Sequence, residues 1–554
     1  MPVYNTPEKL LARSIESVTA QAYPRWELCI ADDASTEPHV RPLLERYAAT
    51  DQRIKIVFRE QNGHISAASN SALALATGEW IALLDHDDEL APHALYEVAA
   101  MLNACPETDL VYSDEDKIDQ DGHRHNPYCK PDFLPDLFTG QNYISHLTVY
   151  RAALVRELGG FRIGYEGSQD WDLALRFIER TKPERIRHIP KVLYHWRAVA
   201  GSTAFRPGEK TYYVEAARKA LSEHFERCGE PVELLLVAGG HWRVKHVLPS
   251  PAPFVSLIMP TRNGRRLLQR CVDSILEKTT YPAYEIIIVD NGSDDPETLA
   301  YFQALESRTA PALRGVPPEK AGVRVLRDDS PFNYSALNNR AVRQARGEIV
   351  GLLNNDLEVI NGDWLDEMAG QAARPGIGCV GALLYYPNNT IQHAGVILGV
   401  GGVAAHAFRD LERGSEGRFN RARLVQNYSA VTAACMVIRK AVYEQVGGLD
   451  EKELAVAFND IDFCLKVRTA GYCNLWTPFA ELYHHESASR GADDTEEKRE
   501  RFRHETEIML ARWGRDLAND PAYNPNLTLE LTDFSLAALP RSWKPWQTGE
   551  GRLE

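Results

Sequence analysis

Two kinds of acidic cluster in this chain have the composition to hold a cation or to take up a proton. Asp85-His86-Asp87-Asp88 follows the apolar run Trp80-Ile81-Ala82-Leu83-Leu84, so its carboxylates stand where a buried strand would end. Carboxylates in that setting need a cation or hydrogen-bond donors to offset their desolvation. Such oxygens suit Mg2+ or Mn2+, which would bridge a substrate diphosphate; an acidic loop or helix cap is the plainer reading. A second run, Leu353-Asn354-Asn355-Asp356, keeps only its last carboxylate, which makes Asp87 and Asp356 the acids to expect at a metal. Asp170 and Asp460 lie in Gln169-Asp170-Trp171-Asp172 and Asn459-Asp460-Ile461-Asp462, each just ahead of an amphipathic helical segment. A carboxylate near a helix N-terminus is stabilised as the anion and can act as a general base; Asp172 and Asp462 read equally well as N-caps. His195 and His484 each follow Leu-Tyr, late in the two halves, where they would complete a metal site begun by Asp87 and Asp356, with His485 as a competitor. A lone histidine is more often structural. Asn70 and Asn339, with Ser66 and Ser335, fall on predicted helix starts, where they contact a nucleotide or cap the helix.

These residues come in pairs because the chain repeats. Met1-Pro2-Val3-Tyr4-Asn5 returns as Met259-Pro260-Thr261-Arg262-Asn263, and Ala31-Asp32-Asp33-Ala34-Ser35 as Val289-Asp290-Asn291-Gly292-Ser293, both 258 residues on. Gly78-Glu79 through Asp87 matches Gly347-Glu348 through Asp356 at 269, Gln169-Asp170 matches Asn459-Asp460 at 290, and Leu193-Tyr194-His195 matches Leu482-Tyr483-His484 at 289. Landmarks in one order at slowly growing spacing mark a duplicated domain. The Pro-rich stretch 248–253 is the natural boundary, giving domains at 1–247 and 254–515 and an extension at 516–554 to which no chemistry is assigned. Within each half, apolar runs such as Tyr284-Glu285-Ile286-Ile287-Ile288-Val289 alternate with helical segments and read as buried parallel strands of βαβ units. Ligands bind beyond the carboxyl ends of such strands, where Asp32, Asp33, Asp290 and Asn291 fall. Phe254-Val255-Ser256-Leu257-Ile258 completes a first strand in the second half, whereas the first half begins at Met1. Either this is a shortened form of the chain, or a shorter strand pairs well enough.

Composition narrows the class. The 554 residues are 44% hydrophobic and 25% charged, ordinary values for packed domains. No run approaches the about 18 apolar residues of a membrane span, and the opening residues lack a secretory pattern. Nine cysteines without CxxC pairs argue against a disulfide framework or a structural zinc site, so the chain reads as cytoplasmic. A net charge of −15 argues against nucleic acid as a partner, and it means that an anionic substrate needs a cation or local positive groups.

Taken together, each half resembles a GT-A-fold glycosyltransferase of family 2, an inverting enzyme that takes sugar from a nucleotide diphosphate. The landmarks are Pro2-Val3-Tyr4-Asn5, Asp32-Asp33, Asn62-Gly63 through Asn70, Asp85-His86-Asp87-Asp88 and Gln169-Asp170-Trp171-Asp172. The second half is most similar to rhamnosyltransferase-type members from bacterial O-antigen and cell-wall polysaccharide pathways, on Phe332 through Asn339, Leu353 through Asp356, Asn459 through Phe463 and His484 through Gly491. The resemblance implies an α/β fold of two tandem GT-A domains, each a Rossmann-like, mainly parallel mixed sheet. It implies nucleotide-sugar contacts from Asp32, Asp33, Asn70, Asp85, Asp290, Asn291, Asn339 and Asn355. It also implies Mg2+ or Mn2+ at Asp87 with His195 and at Asp356 with His484 (or His485), and proton removal from the acceptor by Asp170 and Asp460. Asn354 and Asn291 depart from the pattern and weaken the metal and nucleoside contacts of the second half. The function expected is a bifunctional transferase extending a lipid-linked bacterial surface polysaccharide at the inner face of the cytoplasmic membrane. The alternatives are one active domain beside a degenerate binding or scaffold domain, and a two-site polymerase.

Overall fold

The computed structural model describes residues 1–197, 211–307, 322–485 and 495–542; motif residues 486–491 and the terminus from 543 lie outside them. The chain divides into two compact units, one of Met1–Phe133, Gln141–Leu234 and Arg541–Glu554, the other of Leu134–Gly140 and Leu235–Pro540. The division falls after Leu234, within the strand Val232–Val237 and ahead of the Pro-rich stretch.

The second unit is built on one mixed sheet in the order Gly322–Arg327, Tyr284–Asp290, Val255–Thr261, Ile349–Leu353, Cys435–Arg439, Ile377–Tyr385, Cys473–His484 and Leu357–Val359. Its first four strands are parallel. Tyr284–Asp290 and Ile349–Leu353 are buried at every residue, as continuously apolar strands must be when both faces are covered. Helix Arg265–Lys278 lays Leu268, Cys271, Val272 and Ile275 on this core, one apolar stripe at helical spacing. The extension belongs to this unit as far as Pro540. Buried Asp520 accepts hydrogen bonds from Leu398 N at 2.9 Å and Ser429 Oγ at 2.6 Å, and Phe534 stacks on Phe408 at 4.6 Å.

The first unit repeats that strand order in two pieces. Ile54–Phe58, Leu28–Asp32 and Pro2–Val3 form a parallel sheet; Trp80–Ala82, Thr148–Arg151, Leu110–Ile118, Ile186–Arg197 and Glu89–Leu90 form a mixed one. Helix Glu8–Thr19 buries Leu11, Ile15 and Val18 against this unit's core, as its counterpart does in the second. The two sheets separate because the strand that would join them is two residues long and pairs only with Leu28–Asp32. Its counterpart Val255–Thr261 pairs on both sides. Trp80–Ala82 is accordingly left partly open to solvent where Ile349–Leu353 is buried. Among the described residues, no helix is long and apolar enough to cross a membrane.

Candidate functional site

In the second unit the chain leaves the sheet after Leu353, turns through Asn354, Asn355 and Asp356, and re-enters as Leu357–Val359 beside Cys473–His484, with Leu357 opposite His484. That register brings His484 Nε2 to 3.1 Å from Asp356 Oδ1, both side chains being nearly buried. Asn354 Nδ2 donates to the same Nε2 at 3.2 Å, and His484 Nδ1 donates to Gln392 Oε1 at 2.6 Å. Asp356 Oδ1 is buried without a hydrogen-bond partner. An unpaired carboxylate oxygen facing an imidazole lone pair is unfavourable unless something positive lies between them. Neighbouring ligands of an octahedral Mg2+ or Mn2+, each at about 2.1 Å, stand about 3 Å apart, so the pair fits such a cation. His485 turns away, to Glu358 Oε2 at 3.0 Å.

Asp460 occupies the first turn of helix Asn459–Thr469. Its Oδ2 accepts from Thr432 Oγ1 and from Ala433 N, each at 3.1 Å. Thr432 N donates in turn to His393 Nε2 at 3.2 Å, and His393 adjoins Gln392. Burial, helped by His406 and His484, holds the His393 pKa well below its ordinary value, which keeps its ring a neutral acceptor. Gln392, beside His484, and His393, beside Thr432, are consecutive residues of the short strand Ile391–His393, so this strand adjoins both the Asp356–His484 pair and the Thr432–Asp460 pair. Asp462 is no N-cap. It is fully buried and takes hydrogen bonds from Arg512 Nη1 at 2.6 Å and Trp513 Nε1 at 2.9 Å. Glu505, on the same helix as Arg512, accepts from Val456 N at 3.0 Å and Ala457 N at 2.9 Å, fixing the loop ahead of Asp460. Arg512 and Glu505 carry no motif in the sequence; only the fold reveals them.

The first unit assembles its acids differently. Asp88, expected only as a neighbour of Asp87, is the most deeply held. It accepts from Arg197 N at 2.7 Å and Tyr194 Oη at 2.6 Å, and burial, with Asp85 adding, pushes its pKa up to about 8. The Asp87 pKa is also raised by burial, and His86 Nδ1 stands 3.7 Å from its Oδ1. Asp85, Asp88 and His146 offer ligand atoms that all lie within 4.8 Å of one another. His146 was not among the expected residues. Its ring stacks on Tyr194 at 4.5 Å, with Nε2 4.0 Å from Asp85 Oδ2 and Nδ1 3.3 Å from Glu115 Oε2. Burial opposes its charge, but Glu115, Asp88 and Asp85 outweigh it and raise the pKa to about 9. Asp170, in the first turn of Gln169–Ile178, accepts from Asn142 Nδ2 at 2.8 Å. Its pKa is raised by burial, opposed by His146 and reinforced by Asp85, so it shares the field of that acidic group. Asp172, like Asp462, is a buried anchor, held by Arg162 at 3.1 Å and Arg176 at 3.0 Å.

His195 does not join Asp87. It lies opposite Glu89, two residues past Asp87, whereas His484 lies opposite Leu357, one residue past Asp356. The residue in the place of His484 is therefore Trp196. A slip of one residue turns a strand side chain to the other face, and there His195 Nδ1 meets Asp116 Oδ1 at 2.6 Å.

The expected nucleotide contacts divide by what already occupies them. Asn70 grips the backbone of Phe161, donating to its carbonyl at 2.7 Å and accepting from its N–H at 2.9 Å. Asn339 does the same to Leu449 at 2.9 and 3.0 Å and also accepts from Tyr443 Oη at 2.6 Å. Both amides are thus engaged in shaping the Gly-Gly turns rather than presented to a ligand. Asp33 binds Arg59 Nε at 2.7 Å and Gly63 N at 3.0 Å; Asp32 receives Ser35 N at 3.2 Å. Asp290 takes Arg327 Nη1 at 2.6 Å and Ser293 N at 2.9 Å, while Asn291 Nδ2 donates to Ser330 O at 2.8 Å. Asn355 Nδ2 donates to Thr261 Oγ1 at 2.8 Å.

Residues 1–159 and 256–447 match the family model described as glycosyl transferase family 2. Over 97% of its length the chain is 54% identical to the uncharacterized protein y4gI of Sinorhizobium fredii, and over 97% it is 39% identical to the O-antigen biosynthesis protein RfbC of Myxococcus xanthus. It spans 58% and 41% of those two proteins. Among solved structures, the mannosyltransferase PcManGT from Pyrobaculum calidifontis, in complex with GDP-Man and Mn2+, is 19% identical at a TM-score of 0.35, over 51% of this chain and 71% of that one.

Proposed function

The chain belongs to glycosyl transferase family 2, and from that premise we propose that each of its units transfers a sugar from a nucleotide-diphosphate donor to a growing bacterial surface polysaccharide, with inversion. The observation that carries this reading is that His484 Nε2 stands 3.1 Å from the unpaired Asp356 Oδ1, while Asp460, held by Thr432, adjoins the same short strand Ile391–His393 that orients His484. The unit thereby supplies a cation-holding acid and a separate proton-accepting acid, the two groups that a single-step displacement uses.

In the second unit Asp356 and His484 would hold Mg2+ or Mn2+, which when bound offsets the charge of the departing diphosphate. Asp460 accepts the proton of the acceptor hydroxyl as its oxygen attacks the anomeric carbon from the face opposite the diphosphate. Thr432 Oγ1 and Ala433 N fix one carboxylate oxygen, which aims the carboxylate. In the first unit Asp170 has the corresponding role beside Asp85, Asp88 and His146. Burial raises its pKa, which brings a carboxylate closer to the strength a general base needs near neutrality. Asp32, Asp33, Asp290 and Asn291 end their strands where a nucleoside would lie. Rhamnose as the donor sugar of the second unit, a lipid-linked acceptor and peripheral attachment to the inner membrane face rest on the family resemblance. The 39% identity to an O-antigen biosynthesis protein supports the polysaccharide class.

A second reading, in which only the second unit transfers and the first binds glycan, is favoured by the divided first sheet and by Trp196 in the place of His484. The test of both is nucleotide release from a panel of nucleotide sugars with Mn2+ or Mg2+. Asp170→Asn and Asp460→Asn should each abolish a different transfer, by about 10²–10⁴, with nucleotide binding intact. Transfer retained in Asp460→Asn refutes the assignment of the base, and loss confined to Asp460→Asn selects the second reading.

A further inference from the structure

We propose that His146 is the first unit's counterpart of His484, and that Glu115 and Gln392 are the positioning residues that aim these two imidazoles. The inference rests on the cation reading above and deepens it.

In each unit one ring nitrogen faces the acids and the other faces a buried side-chain oxygen. His484 is the sharper case. Asn354 Nδ2 can only donate, so Nε2 at 3.2 Å carries the lone pair and Nδ1 carries the hydrogen, which goes to Gln392 Oε1 at 2.6 Å. Gln392 is 2% exposed and sits on the short strand Ile391–His393, which pairs with Ile377–Tyr385. That strand locks the ring with Nε2 toward the unpaired Asp356 Oδ1. In the first unit the ring enters from the segment ahead of Thr148–Arg151 instead. Nδ1 of His146 stands 3.3 Å from Glu115 Oε2 and Nε2 4.0 Å from Asp85 Oδ2, and His146, Asp85 and Asp88 offer ligand atoms within 4.8 Å of one another. Glu115 is itself fixed by fully buried Lys130, whose Nζ donates to Oε2 at 2.9 Å. The orienting oxygen is thus a neutral amide in one unit and a carboxylate in the other. Such partners of a metal-bound histidine typically matter by 10–100-fold in affinity.

The test is Mn2+ binding to the full chain, followed by electron paramagnetic resonance with a nucleoside diphosphate present. The wild type is expected to bind two ions per chain. Gln392→Leu should weaken one of them by about 10–100-fold and leave the other unchanged. Gln392→Glu, which supplies a different accepting oxygen, should restore it. His146→Ala should weaken the other ion. Wild-type binding by Gln392→Leu, or a loss that Gln392→Glu does not repair, would overturn the role of Gln392. Two undisturbed ions in His146→Ala would overturn that of His146. A wild-type chain that binds no Mn2+ at all refutes the cation reading itself, and this inference with it.

Discussion

The Gly-Gly turns offer a controlled perturbation, because in each unit two adjacent glycines share a backbone conformation but not their surroundings. Gly447 has φ +82° and nothing within 4 Å of a would-be Cβ; Gly448 has φ +70°, and its Cβ would stand 2.5 Å from Asn339 Oδ1 and 2.9 Å from Tyr443 Cε1. Alanine at Gly447 meets only the left-handed penalty, about 1–2 kcal/mol. Alanine at Gly448 meets the same penalty and also drives the Asn339 amide out of place. That breaks its acceptance from Leu449 N and Tyr443 Oη and its donation to Leu449 O. Two or three buried hydrogen bonds lost at about 1–3 kcal/mol each, partly recovered by relaxation, put Gly448→Ala about 3–5 kcal/mol below Gly447→Ala. The first unit repeats the experiment. Gly159 at φ +76° has an open surround, while a Cβ on Gly160 at φ +72° would meet Asn70 Oδ1 at 2.5 Å. Urea unfolding, followed by hydrogen exchange in peptides from each unit's own sheet, reads the four variants separately. Activity should follow stability, since these turns lead into the loops that present Asp170 and Asp460. Equal destabilisation by the two alanines of a pair would refute the clamp. A loss of nucleotide affinity without loss of stability in Asn339→Ala would return that amide to the donor site.

Three further outcomes follow from particular partners. His484→Ala should lower Mn2+ affinity, whereas His195→Ala, whose imidazole faces Asp116, should leave it unchanged; equal effects in a binding titration would contradict the strand register described here. His188 lies between Asp114 at 2.9 Å and Asp132 at 3.2 Å, and although burial opposes its charge, those carboxylates raise its pKa from 6.5 to about 9. The folded chain therefore keeps a proton that the unfolded chain has released. The stabilisation is complete below pH 6.5 and is lost as pH rises through 9, on the order of 3 kcal/mol in all. His146 contributes with the same sign, so denaturant midpoints for His188→Gln should fall less steeply with pH than those of the wild type over that range. Arg512→Ala strips buried Asp462 of its main partner and should destabilise the second unit by about 3 kcal/mol, measured by urea unfolding; Arg512→Lys should recover part of it.

Apolar pattern is legible in a sequence, whereas strand register is not. Apolar runs ending in acids announce buried strands with their carboxyl ends at a site, and this is why the doubled α/β architecture was legible in the sequence, with Asp356 beside His484 and Asp460 in the first turn of its helix. Letter matching between halves, however, rewards identity and is blind to register. It paired His195 with His484 because both follow Leu-Tyr, yet Ala91 N reaches Leu193 O while Ile360 N reaches Glu481 O, an alignment one residue different. His146 has no counterpart of its own type in the second half. Trp80 pairs with Arg151 as Ile349 pairs with Arg439, and that alignment sets His146 against Ala434, so no repeat signal marks it. Its surroundings differ as well. Asp114, Glu115 and Asp116 are buried on Leu110–Ile118, each with a histidine close by, His188, His146 and His195 in turn; the matching strand Ile377–Tyr385 is apolar. A duplicated site constrains where a nitrogen must stand in space, not which residue of which strand supplies it. The first unit's ionic strand can orient an imidazole arriving from Thr148–Arg151 because Glu115 is there to receive it. The second unit, whose strand carries no carboxylate there, takes its imidazole from Cys473–His484 and its orienting oxygen from Gln392. Exchanging either histidine alone, without its oxygen, should therefore fail to transplant the arrangement.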